Sequence, residues 1–163
     1  MTPTTLTALG ICCALGQSKQ QVWQNAISAS RAGMQWRSDL LQSGEAIVVG
    51  QVAGQLPDLS AWPAQFQSRN NQLAALAYQQ IAAEVAALRQ QMGSDRIAVI
   101  IGSSTSGIAE GEQAMQHYVQ QQRFPAGFHY QMQEMIAPAE FIAQLANVSG
   151  PCYAISTACS SSA

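Results

Sequence analysis

A short apolar run that ends in a turn of small residues with one cysteine most restricts how this chain can fold. The run is Cys152–Ser156, and the turn is Thr157–Ser162, which carries Cys159. A turn of this kind between a strand and a helix places its side chain at the helix N-terminus. There the macrodipole favours a thiolate, and unpaired N–H groups can hold a developing oxyanion. On spacing alone a structural cysteine is the commoner interpretation, because cysteine is often buried.

Alternating strand and helix patterns predict an α/β fold in one domain. The first predicted helix has Ser18 as its N-cap and ends before Gly33. A continuous apolar run over 96–101 is typical of a central strand buried on both faces. The remaining predicted strands are 6–15, 46–52 and 152–156, and the remaining predicted helices are about 70–92, 111–122 and 138–145.

Charged residues make up only 10% of the chain, against about a quarter in a typical domain. So few charges predict a large buried interface or a missing half of the fold. The seven Lys and Arg residues are scattered, so we expect no nucleic-acid partner. The sequence has no run of 18 apolar residues, so we predict no membrane span. The N-terminus lacks the positive region of a signal peptide. The four cysteines show neither metal nor disulfide spacing, which indicates a reduced, cytoplasmic protein.

Other residues give little indication of a nucleotide site, a metal site or paired carboxylates. Gly102–Gly107 has the glycine spacing of a phosphate loop but lacks the following Lys-Ser/Thr pair, which argues against a nucleotide site. His117 and His129 are far apart in sequence and have little support from Cys or acidic neighbours, so we predict no metal site. A solvated face is the better interpretation of the four acidic residues Glu110, Glu112, Glu134 and Glu140.

The cysteine turn, with Gly150-Pro151 nine residues before the cysteine, resembles the active-site signature of the β-ketoacyl-acyl carrier protein synthases. These are condensing enzymes of the thiolase superfamily. Three upstream segments also resemble parts of the family. Residues 7–16 resemble its opening strand and turn, residues 22–33 its first helix, and residues 100–108 its glycine-rich loop. The resemblance therefore covers essentially the whole chain. Arg69–Gln72 and Ser104–Gly107 are similar to the aryl polyene type.

The resemblance implies a thiolase-like α/β fold, with a mixed sheet covered by helices, of which residues 1–163 are the N-terminal half. The C-terminal half, which carries the family's catalytic histidines, lysine and second oxyanion-hole donor, is absent from this sequence. We therefore expect residues 1–163 to be truncated just after the cysteine and inactive alone. Cys159 would be the nucleophile that accepts an acyl group as a thioester, with its N–H in the oxyanion hole, and Thr105 would line the acyl pocket.

The implied reaction is a decarboxylative Claisen condensation of the acyl-enzyme with malonyl-carrier protein, in fatty-acid, polyketide or aryl polyene biosynthesis. No metal or organic cofactor is implied, because the acyl carrier protein supplies the phosphopantetheine arm. The intact protein would be a homo- or heterodimer.

Two alternatives belong to other classes. One is a non-catalytic, chain-length-determining partner subunit, a type that usually lacks the cysteine. The other is a thiol hydrolase or redox sensor built on the same turn.

Overall fold

The computed structural model describes residues 5–161, which contain five α-helices and four β-strands. None of the described helices is long and apolar enough to cross a membrane. In chain order the helices and strands are α1 (Lys19–Ile27), β1 (Met34–Arg37), β2 (Ile47–Gly50), α2 (Arg69–Gln79), α3 (Ala82–Met92), β3 (Val99–Gly102), α4 (Ile108–Gln121), α5 (Ala137–Ala146) and β4 (Cys152–Ile155). Short 3-10 helices lie at Ala64–Phe66, Ser94–Arg96, Tyr130–Gln133 and Ala158–Ser160.

The chain divides into two compact units. The first comprises residues through Leu56 together with Leu76–Ile81, and the second comprises Pro57–Ala75 together with the residues from Ala82 onward. In the first unit β1 and β2 form an antiparallel pair. The β2 strand confirms the prediction over 46–52, whereas β1 was not predicted.

The predicted capping of α1 is confirmed, but its predicted end is wrong. Ser18 accepts a hydrogen bond from the Gln21 N–H. The helix ends at Ile27, six residues before Gly33. Ala29, the second residue after Ile27, has a φ of 50°, and the Ser30 N–H bonds back to a carbonyl in the last turn. This is a Schellman motif, which closes a helix even where alanine must take the left-handed conformation.

The predicted strand over 6–15 is also wrong. In the described part of this segment the β pairing is limited to one bridge, between Cys13 and Gly16. The N–H and carbonyl of Ile11 bond instead to the side chain of Gln80, over 3.3 and 2.9 Å. An amide side chain therefore takes the place of a neighbouring strand, which a pattern of apolar residues cannot reveal.

The predicted helix over 70–92 is two helices. Between α2 and α3, the N–H groups of Gln80 and Ile81 bond to the carbonyls of Ala77 and Tyr78, three residues back. These tighter bonds replace the α-helical pattern and separate the two helices. The break leaves the apolar spacing unchanged, so periodicity alone predicts a continuous helix.

In the second unit β3 and β4 form a parallel pair, and α5 packs against both strands. These strands confirm the predictions over 96–101 and 152–156, although β3 begins only after the 3-10 helix Ser94–Arg96. Burial on both faces is not confirmed, because half of the Ile100 surface is exposed. The described strands form two separate pairs, one antiparallel and one parallel, rather than the single mixed sheet that was expected. With the helices, they give the predicted α/β fold.

The core of the second unit is built around α5. The predictions of helices over 111–122 and 138–145 are confirmed as α4 and α5, and Pro138 lies in the first turn of α5, where a missing N–H costs nothing. Phe141 on this helix is fully buried. Its ring meets the rings of Trp62 and Phe66 at centroid distances of 5.0 and 5.9 Å. This aromatic cluster holds the helix that supports β3 and β4.

Candidate active site

The carboxyl ends of β3 and β4 define one edge of the parallel pair. Gly102 lies opposite Ile155, the last residue of β4. The Ser103 N–H then donates to the Ile155 carbonyl over 3.1 Å, so pairing continues past the end of β3. The two segments that follow these strands leave from the same edge, which is where α/β sheets bind ligands.

The segment after β4 is a tight turn closed by its own hydroxyl groups. Ser160 Oγ donates to the carbonyl of Thr157 over 2.8 Å, and Ser161 Oγ donates to the carbonyl of Ala158 over 2.8 Å. Ser161 Oγ also accepts the Thr157 N–H over 2.9 Å. The serines after the cysteine therefore close the turn by local bonds to the backbone, as short hydroxyl side chains commonly do.

Cys159 is exposed on this turn, in the 3-10 helix Ala158–Ser160. The preceding Ala158 has a φ of 53°, a left-handed conformation that disfavours residues with a Cβ. Among residues 5–161, the Cys159 N–H donates no hydrogen bond. A strained backbone, an exposed thiol and an available N–H are what a nucleophile with its own oxyanion donor requires. Ser162 and Ala163, which the predicted turn and the helix after it include, lie outside the described residues.

The segment after β3 carries Thr105. Ser103 Oγ accepts the Thr105 N–H over 3.3 Å and donates to the Thr105 carbonyl over 2.6 Å, which folds the loop locally. Thr105 is exposed and lines a cavity of about 150 Å³. The other lining residues are Arg69, Asn70, Leu73, Gly107, Ile108, Ala109 and Glu110. The two predicted site residues, Cys159 and Thr105, thus lie on segments that leave one sheet edge.

The loop is anchored at its far end. Ser106 is 3% exposed, and its Oγ donates to the carbonyl of Met132 over 2.8 Å. Gly107 follows with a φ of 59°, and a Cβ there would lie 2.4 Å from the same carbonyl oxygen. Only glycine fits this close approach without displacing the backbone.

Glu110, which was predicted to lie on a solvated face, is half-buried. The predicted helix began at Gly111, but α4 begins at Ile108 and has Glu110 in its first turn. Its carboxylate accepts the backbone N–H of Arg69, the first residue of α2, over 2.7 Å. It therefore does not belong to a purely solvated face. The signal in the sequence is an acidic residue in the first turn of a helix, where the helix dipole stabilises a carboxylate. It can be recognised only when the start of the helix is placed correctly.

Two other cysteines are less suited to nucleophilic chemistry. Burial raises the pKa of the Cys152 thiol, and the charge of Glu140 raises it further. The pKa of Cys12 is also raised, first by burial and then by the charge of Cys13. A raised pKa lowers the fraction of thiolate at neutral pH, and the thiolate is the nucleophile.

Residues 5–161 contain no group of three or more His, Cys, Asp and Glu side chains placed to hold a metal ion. His117 lies on α4 and His129 directly precedes the 3-10 helix Tyr130–Gln133, and neither lines the cavity beside Thr105.

Comparisons with known proteins agree with this arrangement. The fold is that of the N-terminal part of a thiolase-like condensing enzyme. The family model "Beta-ketoacyl synthase, N-terminal domain" matches residues 1–163, so the chain belongs to the β-ketoacyl synthase family. No curated protein matches the sequence.

A solved structure has a similar fold and a similar sequence. It is the ketosynthase (ApeO) in complex with its chain length factor (ApeC) from Xenorhabdus doucetiae. One chain of that structure matches with a TM-score of 0.89 and 38% sequence identity over 96% of this chain. The match spans 40% of the length of that chain.

Proposed function

We propose that the protein containing this chain is a β-ketoacyl-acyl carrier protein synthase in which Cys159 is the acyl acceptor. The observation that carries the proposal is an exposed cysteine on a strained turn, at the same sheet edge as the Thr105 loop, in a chain of this family. Because the described chain spans less than half of the matched ketosynthase-complex chain, the activity is proposed for the full-length protein.

The proposed first half-reaction is a thioester exchange. The Cys159 thiolate attacks the carbonyl carbon of an acyl group on the carrier's phosphopantetheine, forming a new carbon–sulfur bond. The old carbon–sulfur bond breaks, and the carrier thiolate leaves and takes up a proton. The Cys159 N–H, which donates to no described residue, would donate to the oxyanion formed between these steps.

The second half-reaction is the condensation. Malonyl-carrier protein loses carbon dioxide, and the electron pair of the broken carbon–carbon bond forms a carbanion. The carbanion attacks the Cys159 thioester, and the thiolate is released. Covalent catalysis suits this chemistry because one acyl chain must be held while the second carrier binds. The carrier provides the phosphopantetheine, so we propose no resident cofactor.

A dimer is the proposed assembly. On α4 the side chains of Met115 and Val119 are 53% and 69% exposed. Beside them the rings of Tyr118, Phe124 and Phe128 stack at 4.8 and 5.4 Å. Exposed apolar surface of this kind favours a protein partner. A chain length factor accompanies the similar ketosynthase, which favours a heterodimer for this protein.

We further propose the aryl polyene type, on the residues Arg69–Gln72 and the Ser104–Gly107 loop, and a cytoplasmic location. The location is supported by the four cysteines, none of which forms a disulfide in the described part of the chain.

The second candidate function is the non-catalytic partner subunit. It is favoured by the chain length factor in the similar structure, and it is opposed by the presence of Cys159. The two functions separate in one assay on the full-length protein with the Cys159→Ala substitution. A synthase loses condensation but retains decarboxylation of malonyl-carrier protein. A partner subunit shows no change in the activity of its complex when its own Cys159 is replaced.

A further inference from the structure

The first unit contains a cleft of about 330 Å³ beside α1. The turn at 14–17, helix α1 and the segments 32–33 and 53–54 supply its walls, and all of these residues belong to the first unit. Sites for small molecules usually have volumes of about 300–1,000 Å³. The cleft is therefore large enough to hold a small ligand, and the proposed condensation uses none of its residues.

Three side-chain amides line the cleft, and each is held at one end by a hydrogen bond. Asn25 Nδ2 donates to the Leu15 carbonyl over 2.6 Å. Gln21 Oε1 accepts the Gln17 N–H over 3.0 Å, and Gln17 Nε2 donates to the Ala53 carbonyl. These bonds leave Asn25 Oδ1, Gln17 Oε1 and Gln21 Nε2 without a partner among residues 5–161. The cleft therefore offers two acceptors and one donor group on side chains that are already fixed.

The cleft is neutral, because none of the residues that line it is charged. An ionic ligand would lose hydrating water there without gaining an opposite charge, which is costly. The other lining residues are glycines, alanines and one leucine, so side-chain hydrogen bonding is limited to the three amides. A ligand of this cleft must therefore be recognised through neutral hydrogen bonds.

A peptide unit or a carboxamide meets this requirement. It is uncharged, its carbonyl accepts hydrogen bonds, and its N–H donates one. Gln21 Nε2 is the donor available for the carbonyl, and Asn25 Oδ1 and Gln17 Oε1 are the acceptors available for the N–H. Because each side chain is already bonded at its other end, binding costs little additional side-chain freedom.

We propose that this cleft is a binding site for a neutral amide group, with Gln21 Nε2 as the donor to its carbonyl. The group belongs either to a free small molecule or to a peptide segment of the full-length protein, and the chemistry of recognition is the same for both. The inference is independent of the proposed function, because it involves neither Cys159 nor the Thr105 loop.

The test measures binding of N-acetylglycinamide to the full-length protein by ligand-observed saturation-transfer NMR, and locates it in crystals grown with and without this probe. N-acetylglycine and glycinamide are the matched probes, because they carry a negative and a positive charge on a similar frame. Gln21→Glu keeps the acceptor for the Gln17 N–H but replaces the free donor with an oxygen. Gln20→Glu is the control variant, because Gln20 is exposed and adds the same charge outside the cleft.

If the ligand is a free molecule, N-acetylglycinamide should bind in the cleft in preference to both charged probes. Gln21→Glu should weaken this binding roughly fivefold or more, as expected for the loss of one neutral hydrogen bond, and Gln20→Glu should leave it unchanged. If the ligand is a segment of the full-length chain, the probe should not bind. The crystals should then show a peptide carbonyl on Gln21 Nε2, and Gln21→Glu should lower the unfolding temperature more than Gln20→Glu.

A cleft that holds only water, or only apolar side chains, at a saturating concentration of N-acetylglycinamide would overturn the inference. Equal binding of the neutral and charged probes, or equal effects of Gln21→Glu and Gln20→Glu, would also overturn it. None of these results bears on acylation of Cys159, so the inference and the proposed function fail separately.

Discussion

The Ser103 N–H donates to the Ile155 carbonyl over 3.1 Å, and this bond joins the two segments of the candidate site. Ser103 begins the loop that carries Thr105, and Ile155 is the last residue of the strand before the Cys159 turn. A backbone bond at this point fixes the loop and the turn to the same sheet edge.

Gly107→Ala should destabilise the protein. The substitution introduces a Cβ at a φ of 59° and 2.4 Å from the Met132 carbonyl oxygen. We expect a loss of about 2 kcal/mol or more in the free energy of unfolding, measured by urea denaturation of the full-length protein. Gly127→Ala is the control, because a Cβ there meets nothing within 4 Å. Equal losses in the two variants would contradict the account of the loop.

Ser106→Ala should weaken the contact between the same loop and Met132 by removing a hydrogen bond. It removes the donor to the Met132 carbonyl and leaves a buried acceptor without its partner, which costs about 1–3 kcal/mol. The neighbouring Ser104 is exposed, so Ser104→Ala should change stability by less than about 0.5 kcal/mol. Thermal unfolding of the two variants side by side measures the difference. A Ser106→Ala variant as stable as Ser104→Ala would show that the bond contributes nothing.

Alkylation by iodoacetamide should distinguish the cysteines. Cys159 is exposed, whereas burial raises the pKa values of Cys152 and Cys12. At pH 7 we expect Cys159 to be modified first, as followed by peptide mass spectrometry. Raising the pH should speed the modification of Cys152 and Cys12, because a group with a raised pKa gains its thiolate only at higher pH. Modification of Cys152 before Cys159 at pH 7 would disagree with this order.

The predictable parts of the fold and site are those that depend on neighbouring residues. The apolar runs predicted β3 and β4, and small residues after β4 predicted an exposed cysteine turn. One failure depends on a distant contact. Gln80 bonds to Ile11 from 69 positions along the chain, in the predicted first strand, where a neighbouring strand was expected.

The residues around the Thr105 cavity also come together through contacts that are distant in sequence. Glu110 lies 41 positions from the Arg69 N–H that it accepts, and Ser106 lies 26 positions from Met132. No local pattern pairs these residues. Thr105 was assigned through a family resemblance, and its cavity could be described only after folding had brought 69–73 beside 105–110.

The most direct test of the central claim is the mass of the Cys159 peptide after the full-length protein is incubated with an acyl-carrier thioester. The account predicts a mass increase equal to one acyl group on this peptide, removed by hydroxylamine and absent in Cys159→Ala. An unmodified Cys159 peptide, or an acyl group carried on Cys12, Cys13 or Cys152 instead, would contradict it.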